Sequence, residues 1–299
     1  MKISKLPLLL IVLTVIALPA LAQDYAFKVL VNKGVNEVKT GGTWQPVKIG
    51  ATLKSDDELK LSENSYIGLV HAKGKPLEVK KAGTHSVADL AGQIGEGSSV
   101  MVKYADFVLS SNSAEAKKNK LSATGAVHRD ISSNAPIQVF LPASQYAGVF
   151  NDAATIVWES EENGPYVVTV YNMFDEDIAK IETADKHLVL NLANPTYAGE
   201  AALKVEVQVK GKAGKKSDGK VIKRVSSEER KNLQSELKDF GIGDNSNALQ
   251  LYLLAGFYEG HNLFIDALGV YETLLKLEPE VSAYQEAYQD FLVRNGIKK

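Results

Sequence analysis

Apolar and polar residues alternate with a period of two over two long stretches of the chain and with a helical period over two others. In the first stretch Phe27, Val29 and Val31 alternate with Lys28, Leu30 and Asn32, and Leu59 and Leu61 alternate with Glu58, Lys60 and Ser62. Tyr66, Ile67, Leu69 and Val70 read as a more buried strand. Thr40-Gly41-Gly42 and Lys73-Gly74-Lys75-Pro76 are turn signals, after which Leu77 and Val79 resume the alternation. The pattern predicts a small all-β barrel or sandwich over 26–86. The second β stretch runs from about 135 to 225. Its predicted strands are Ile137–Leu141, Thr155–Glu159, Tyr166–Asn172, Ile178–Glu182, His187–Leu192, Leu203–Val209 and Val221–Val225. Seven short strands separated by turns, with Trp158 in the second, predict a sandwich around a core tryptophan. The basic segment Gly211–Lys220 reads as its hairpin tip.

Helical spacing takes over at 86–110. Val87, Leu90, Ala91 and Ile94 form one stripe and Val100, Tyr104, Phe107 and Val108 a second, with Gly95-Glu96-Gly97-Ser98 between them. These two helices are expected to pack on the first β unit. Ser, Asn, Ala and Lys dominate the following segment, which reads as an exposed linker. The last seventy-odd residues are helical. Ser226-x-x-Glu229 is a capping-box signature leading to Leu233, Leu237 and Phe240. Three further stripes follow: Leu249, Leu253 and Phe257; Phe264, Ala267, Leu268, Tyr271, Leu274 and Leu275; Val281, Tyr284, Ala287, Tyr288, Phe291 and Leu292. The predicted fold class is multidomain β plus α: a small all-β domain with a helical extension, a β-sandwich, and an antiparallel helical module. The boundaries are 1–22, 23–110, 111–134 (linker), 135–225 and 226–299.

Within the helical module Leu251, Leu254, Ala255, Tyr258, Ala267, Tyr271, Leu274 and Pro279 fall at the offsets of one tetratricopeptide repeat, which this stretch resembles. The resemblance implies two antiparallel helices that meet at small residues, and a surface rather than a catalytic site. Only one repeat matches, so the flanking helices 226–240 and 281–295 are expected to cover its open faces. Tyr252 and Tyr284 are candidates for the concave face where such repeats hold peptides. In the first β stretch, Gly34-Val35-x-x-Val38, Trp44-x-Pro46-Val47-x-x-Gly50-x-x-Leu53, Asp57-x-Leu59, Ser65-x-Ile67-x-Leu69, Gly74, Leu77 and Val79 resemble a FecR-type extracytoplasmic domain. That resemblance implies a small β fold outside the inner membrane. Its best-known members sense a transported ligand, and they carry a membrane-spanning helix that this chain lacks in recognisable form. The middle stretch resembles an immunoglobulin or fibronectin type III sandwich, without the cysteine pair of antibody domains.

Composition narrows the chemistry. The chain has 299 residues, 45% hydrophobic and 23% charged, with a formal net charge of −2. That balance makes no electrostatic case for nucleic acid or an anionic membrane. Lys2 and Lys5, the apolar run Leu6–Leu18 and Ala20-Leu21-Ala22 have the order of a cleavable signal peptide, with cleavage expected after Ala22. No later segment is long and apolar enough to span a bilayer. There is no cysteine, which excludes disulfides, thiolate metal sites and thiol catalysis. His71, His85, His128, His187 and His261 share no metal-ligand spacing. Gly214-Lys215-Lys216-Ser217 lacks the first glycine of a phosphate loop. Glu159, Glu161 and Glu162 follow one strand and Asp175, Glu176 and Asp177 the next, so a sandwich would place them at opposite ends. No catalytic, cofactor or metal residue is assigned.

The expected function is non-catalytic binding or scaffolding in a bacterial cell envelope, periplasmic or exported, with a protein or a cell-wall glycan as partner. Candidate partner contacts are Tyr252, Tyr284, Lys212, Lys215 and Lys216. The alternatives are a ligand-sensing regulator that works with a separate membrane partner, and a glycan-active enzyme.

Overall fold

The computed structural model describes residues 25–113, 135–143, 145, 147–238, 240 and 246–298. The expected signal segment and nearly all of the expected linker lie outside these residues. Sixteen strands and seven helices are found among them, arranged as the periodicities predict: antiparallel sheets in the N-terminal and middle regions and a helical module at the C-terminus.

The N-terminal unit comprises β1 (Phe27–Lys33), β2 (Asn36–Thr40), β3 (Thr43–Pro46), β4 (Thr52–Leu53), β5 (Glu58–Leu61), β6 (Tyr66–His71), β7 (Pro76–Val79) and β8 (Gly83–Ser86). They form two four-stranded sheets, ordered β4-β1-β6-β7 and β3-β2-β5-β8. Phe27, Val29, Leu53, Leu59, Ile67 and Leu69 fill the space between them. The alternation predicted for β1 breaks in the middle. Register against β6 shifts between Val29 and Val31, a bulge that reverses which face the following residues present. Leu30 and Val31 therefore join the helical core and not the core of their own unit.

Helix α1 (Val87–Gly92) closes the N-terminal core with Val87 and Leu90, and Ser86 caps it by accepting the Asp89 amide at 3.3 Å. Helix α2 (Ser99–Ser111) touches this unit, with Asp106 paired to Lys28 of β1, but packs mainly elsewhere. Met101, Tyr104, Ala105 and Val108 face the C-terminal helices instead. The break between α1 and α2 is seated against the turn at 73–75. A Cβ on Gly97 would lie 2.2 Å from the Lys73 carbonyl oxygen, and one on Gly74 1.8 Å from the Ser98 carbonyl oxygen. Both contacts are backbone to backbone, so neither can relax by a rotamer change.

The middle unit contains β9 (Ile137–Val139), β10 (Gly148–Val149), β11 (Ala153–Ser160), β12 (Tyr166–Tyr171), β13 (Asp177–Thr183), β14 (His187–Asn191), the short helix α3 (Pro195–Ala198), β15 (Ala202–Val209) and β16 (Lys220–Arg224). A five-stranded sheet, β10-β16-β15-β12-β13, faces a three-stranded sheet, β14-β11-β9. Trp158 is fully buried between them and meets Tyr166 edge to face at 5.4 Å. Each predicted strand is found within one or two residues of its expected bounds. β10, two residues long and parallel to β16, and α3 carry no periodicity and were not anticipated.

The C-terminal region has α4 (Ser227–Lys238), α5 (Ala248–Gly260), α6 (Phe264–Leu277) and α7 (Ser282–Arg294). The outer positions of α7, Ser282, Gln285, Glu286 and Gln289, are exposed and polar, which suits the end of a helical stack.

Substituting Gly97→Ala is expected to destabilise the protein by about 1–3 kcal/mol, the cost of overpacking. Gly92→Ala meets nothing within 4 Å and lies at a helix end, so it should be neutral or slightly stabilising. Equal urea midpoints for the two variants would contradict the close seating of residues 97–98 on the 73–75 turn.

Candidate functional site

Ten of the thirteen residues of α5 are buried: Ala248, Leu249, Tyr252, Leu253, Leu254, Ala255, Gly256, Phe257, Tyr258 and Glu259. A helix that is apolar on every side needs cover on every side. Besides α6 and α7, four neighbours supply it, and the largest apolar cluster among the described residues results.

The first neighbour is the N-terminal unit. α5 opens with a full capping box: the Gln250 amide donates to Asn247 Oδ1 at 2.9 Å, and the Asn247 amide to Gln250 Oε1 at 3.0 Å. A further free amide of the first turn, Leu249 N–H, donates at 2.8 Å to Glu78 Oε1 on β7. A carboxylate from another unit thus sits on the positive end of the helix. The Tyr66 hydroxyl donates to the same oxygen at 3.1 Å and lies 2.6 Å from the Tyr284 hydroxyl. Burial, with Tyr284 and Glu78 close by, pushes the Tyr66 phenol far above its ordinary range. Behind this cluster Gly68 leaves room for Leu249; a Cβ there would stand 3.0 Å from its Cδ1.

The second neighbour is α2, which lies along the face of α5 that carries Gly256 and Gly260. A Cβ on Gly256 would come within 2.5 Å of Val108 Cγ1, and one on Gly260 within 3.1 Å of the Tyr104 ring. The end of α2 is held by polar groups from α5 and α7. Asn112 Nδ2 donates to the Tyr252 hydroxyl at 2.9 Å. Arg294 Nη1 donates to the Ser111 carbonyl at 3.2 Å and to Asn112 Oδ1 at 3.3 Å. The same guanidinium grips Glu259 through Nε and, at 2.6 Å, through Nη2; Asn295 Nδ2 adds a bond to Glu259 Oε1 at 2.8 Å. Burial opposes the charge on Arg294, but the carboxylate of Glu259 more than offsets it, and its pKa is raised.

The third neighbour is the middle sandwich. Asp266, in the first turn of α6, is 3% exposed. Its two oxygens accept the amides of Phe150 and Asn151, each at 2.8 Å. Asn151 Nδ2 donates to the Tyr258 hydroxyl at 3.0 Å. Burial pushes the Asp266 carboxyl up to about 6, despite the two amide bonds that favour its charged form. Lys298 pairs with Glu159 at 2.5 Å and lies over the Phe140 ring. The fourth neighbour, α4, contributes Leu233, while His261 Nε2 lies 2.9 Å from the Tyr104 hydroxyl and 3.3 Å from Glu236 Oε2.

The residues expected from the repeat pattern are brought together here. Leu254, Ala255, Tyr258, Ala267, Tyr271 and Leu274 are all buried in one cluster, with half-buried Leu251 packed against it. Pro279 follows the end of α6. Two expectations are corrected. Tyr252 and Tyr284 are 5% and 0% exposed. Their hydroxyls are spent on Asn112 and Tyr66, so they join parts of this chain and do not face a partner. The open faces of the helical pair are covered mainly by α2, the β6–β7 region and the sandwich, with α7; α4 contributes little beyond Leu233, and Phe240 follows it. Glu78, Asp266, Glu259 and Arg294 were missed. Their only sequence signal is a charged residue inside an apolar stripe, which does not identify its partner.

The lysines are exposed, as expected of a hairpin tip, but engaged. Glu162 takes Lys212 at 2.6 Å and Lys215 at 3.4 Å, and Lys216 meets Glu206 at 2.9 Å. The hydrogen bond from Lys212 holds the Glu162 carboxyl below its usual range. Glu159–Glu162 and Asp175–Asp177 lie at opposite ends of β12, about 17 Å apart along a six-residue strand. Among the described residues no group of three His, Asp or Glu side chains could hold a metal ion. A groove between α6 and α7 is lined by Leu275, Gln285, Glu286, Tyr288, Gln289 and Asp290. No protein-family model matches the chain, and no curated protein matches it.

Removing Arg294 alone leaves the Glu259 carboxylate buried and unpaired. Arg294→Met should cost about 3–5 kcal/mol, and adding Glu259→Leu should restore much of it; purely additive losses in a denaturation cycle would show the pair to be independent. Asp266 generates a pH dependence. Its folded-state pKa of about 6 stands above the ordinary 3.8. Its contribution to stability is therefore fully present below about pH 4 and falls by about 3 kcal/mol as pH rises to 6 and beyond. Measured against Asp266→Asn, the wild-type advantage should shrink over that window; a pH-independent difference would rule this out.

Proposed function

We propose that the protein is a non-catalytic binding or scaffolding protein of the bacterial cell envelope, working through contacts with a protein or a cell-wall glycan. The observation that carries this reading is the arrangement around α5. The buried helix and its two neighbours α6 and α7 are clamped to a β unit on one side, by Glu78 on α5 and Tyr66 on Tyr284 of α7, and to a sandwich on the other, by Asp266 of α6. Such a hub sets the spacing and orientation of two β surfaces, which is what a scaffold needs. The resemblance to a tetratricopeptide repeat fits this role in an inward-turned form, with α2 lying where a peptide would. The order of charged, apolar and small residues at 1–22 supports export, and no described helix is long and apolar enough to cross a membrane.

A second reading, a ligand-sensing regulator with a separate membrane partner, draws on the FecR-like motif and on Glu78. That residue links the strand after Gly74 directly to the first turn of α5. A ligand on the N-terminal unit would then act on the helical module through one hydrogen bond.

Fractionation of expressing cells should place the mature chain, starting at Gln23, in the envelope or the medium, and pull-down from the envelope should recover a protein or glycan partner. Recovery in the cytoplasm with the first 22 residues retained would overturn the envelope role. Crosslinking to an integral membrane protein would favour the regulator.

A further inference from the structure

We propose that the middle sandwich accepts an extended segment of a partner protein as an added strand along β14. The proposal rests on the binding role above and assigns it a site. The two sheets of the sandwich are unequal, five strands against three. The apolar residues packed on that core but only half-buried are Ile178, Ala179, Ile181 and Leu188. All four lie on β13 and β14, each the terminal strand of its sheet. Ala179 and Ile181 pair with Val170 and Val168, and Leu188 pairs with Ile156; those three partners are fully buried. Cross-strand partners share a face, so Ala179, Ile181 and Leu188 point into the core. They are wet because each lies on the terminal strand of its sheet, with no further strand beside it among the described residues.

The edge itself suits an added strand. Among the described residues no strand pairs with the outer side of β14. Exposed edges are usually blunted by charge or proline. β13 follows that rule, with Asp177, Lys180 and Glu182, the last paired with Lys210 at 2.7 Å. β14, His187-Leu188-Val189-Leu190-Asn191, carries no Asp, Glu, Lys, Arg or Pro, and Val189 is 54% exposed. The turn before β13 presents Met173 and Phe174, 59% and 85% exposed. That turn is ordered: Asn172 Oδ1 accepts the amides of Phe174 and Glu176 at 2.9 and 3.0 Å, and its Nδ2 donates to Glu176 Oε2 at 2.7 Å. An exposed aromatic on an ordered turn is a common form of interface anchor.

The geometry selects the occupant. β14 carries no charged side chain to pair with a charged segment, so the slot takes an uncharged strand. The backbone edge supplies main-chain hydrogen bonds, and Ala179, Ile181 and Leu188 supply an apolar floor for every second residue. The ligand is therefore an uncharged, extended segment of about five residues with apolar side chains at alternate positions.

The test uses the mature full chain and the synthetic nonapeptide KTVTVTVTK as probe, read by hydrogen exchange. At about millimolar probe, amides of 187–191 should be protected and those of β10 unchanged. Ile181→Lys should weaken protection about tenfold or more with the thermal midpoint retained; Ala179→Lys gives the same reading if the first variant does not fold. No protection at 187–191, protection confined to another element, or a dimer that Val189→Lys dissolves would each overturn the proposal. Loss of probe binding with an envelope partner still recovered would remove the slot alone. Probe protection without any envelope partner would remove the envelope role alone.

Discussion

A helix with no polar face cannot be left at a surface, and that constraint on α5 organises this protein. Leu249, Leu253 and Phe257 are fully buried, and so are the small residues between them. Burying the faces of one helix against β6, α2, β10–β11, α6 and α7 removes enough apolar area from water to join units that would otherwise be tethered by linkers alone. The same demand explains why strands of both β units carry apolar residues on faces that should be wet. Leu30, Val31, Tyr66 and Val70 turn toward the helices from one side, Phe140 and Phe150 from the other.

Apolar contact supplies attraction without direction. Orientation comes from a few polar groups placed at the rims of those contacts. Glu78 meets the helix amide end, Asp266 takes two loop amides of the sandwich, and the Arg294–Glu259 pair locks the end of α2 to α5 and α7. Asp266 and Glu259 are buried and Glu78 and Arg294 largely so, and each is therefore costly if mispaired, which penalises any rotated docking of the units. Glycines set the separation: Gly68, Gly256 and Gly260 face Leu249, Val108 and Tyr104, and larger residues there would hold the elements apart.

Much of the local structure was legible. The strands of the middle unit, from Ile137 to Arg224, follow their alternation, and the helices follow their stripes, because both periods reflect burial on one face. Where a segment is buried on two faces the signal degrades. The alternation of β1 puts Phe27, Val29 and Val31 on one face, but the bulge after Val29 puts Leu30 and Val31 into a different core. Tyr252 and Tyr284 looked like surface aromatics on a groove because their helices were read in isolation. The docking of α2 on α5 was invisible for the same reason: its stripe says that it is covered, not by what.

By itself, then, the sequence determined the type and order of the elements, the pairing of α5 with α6 through Ala255 and Ala267, and the core tryptophan of the sandwich. These depend on contacts among near neighbours, whose spacing is written along the chain. Only the tertiary structure decided that α2 fills the face of α5 and that Glu78 and Asp266 tie the two β units to one module. Those outcomes depend on residues from 100 to more than 200 positions apart, as Tyr66 and Tyr284 are. Over that span a periodic pattern reports burial but not the partner that provides it.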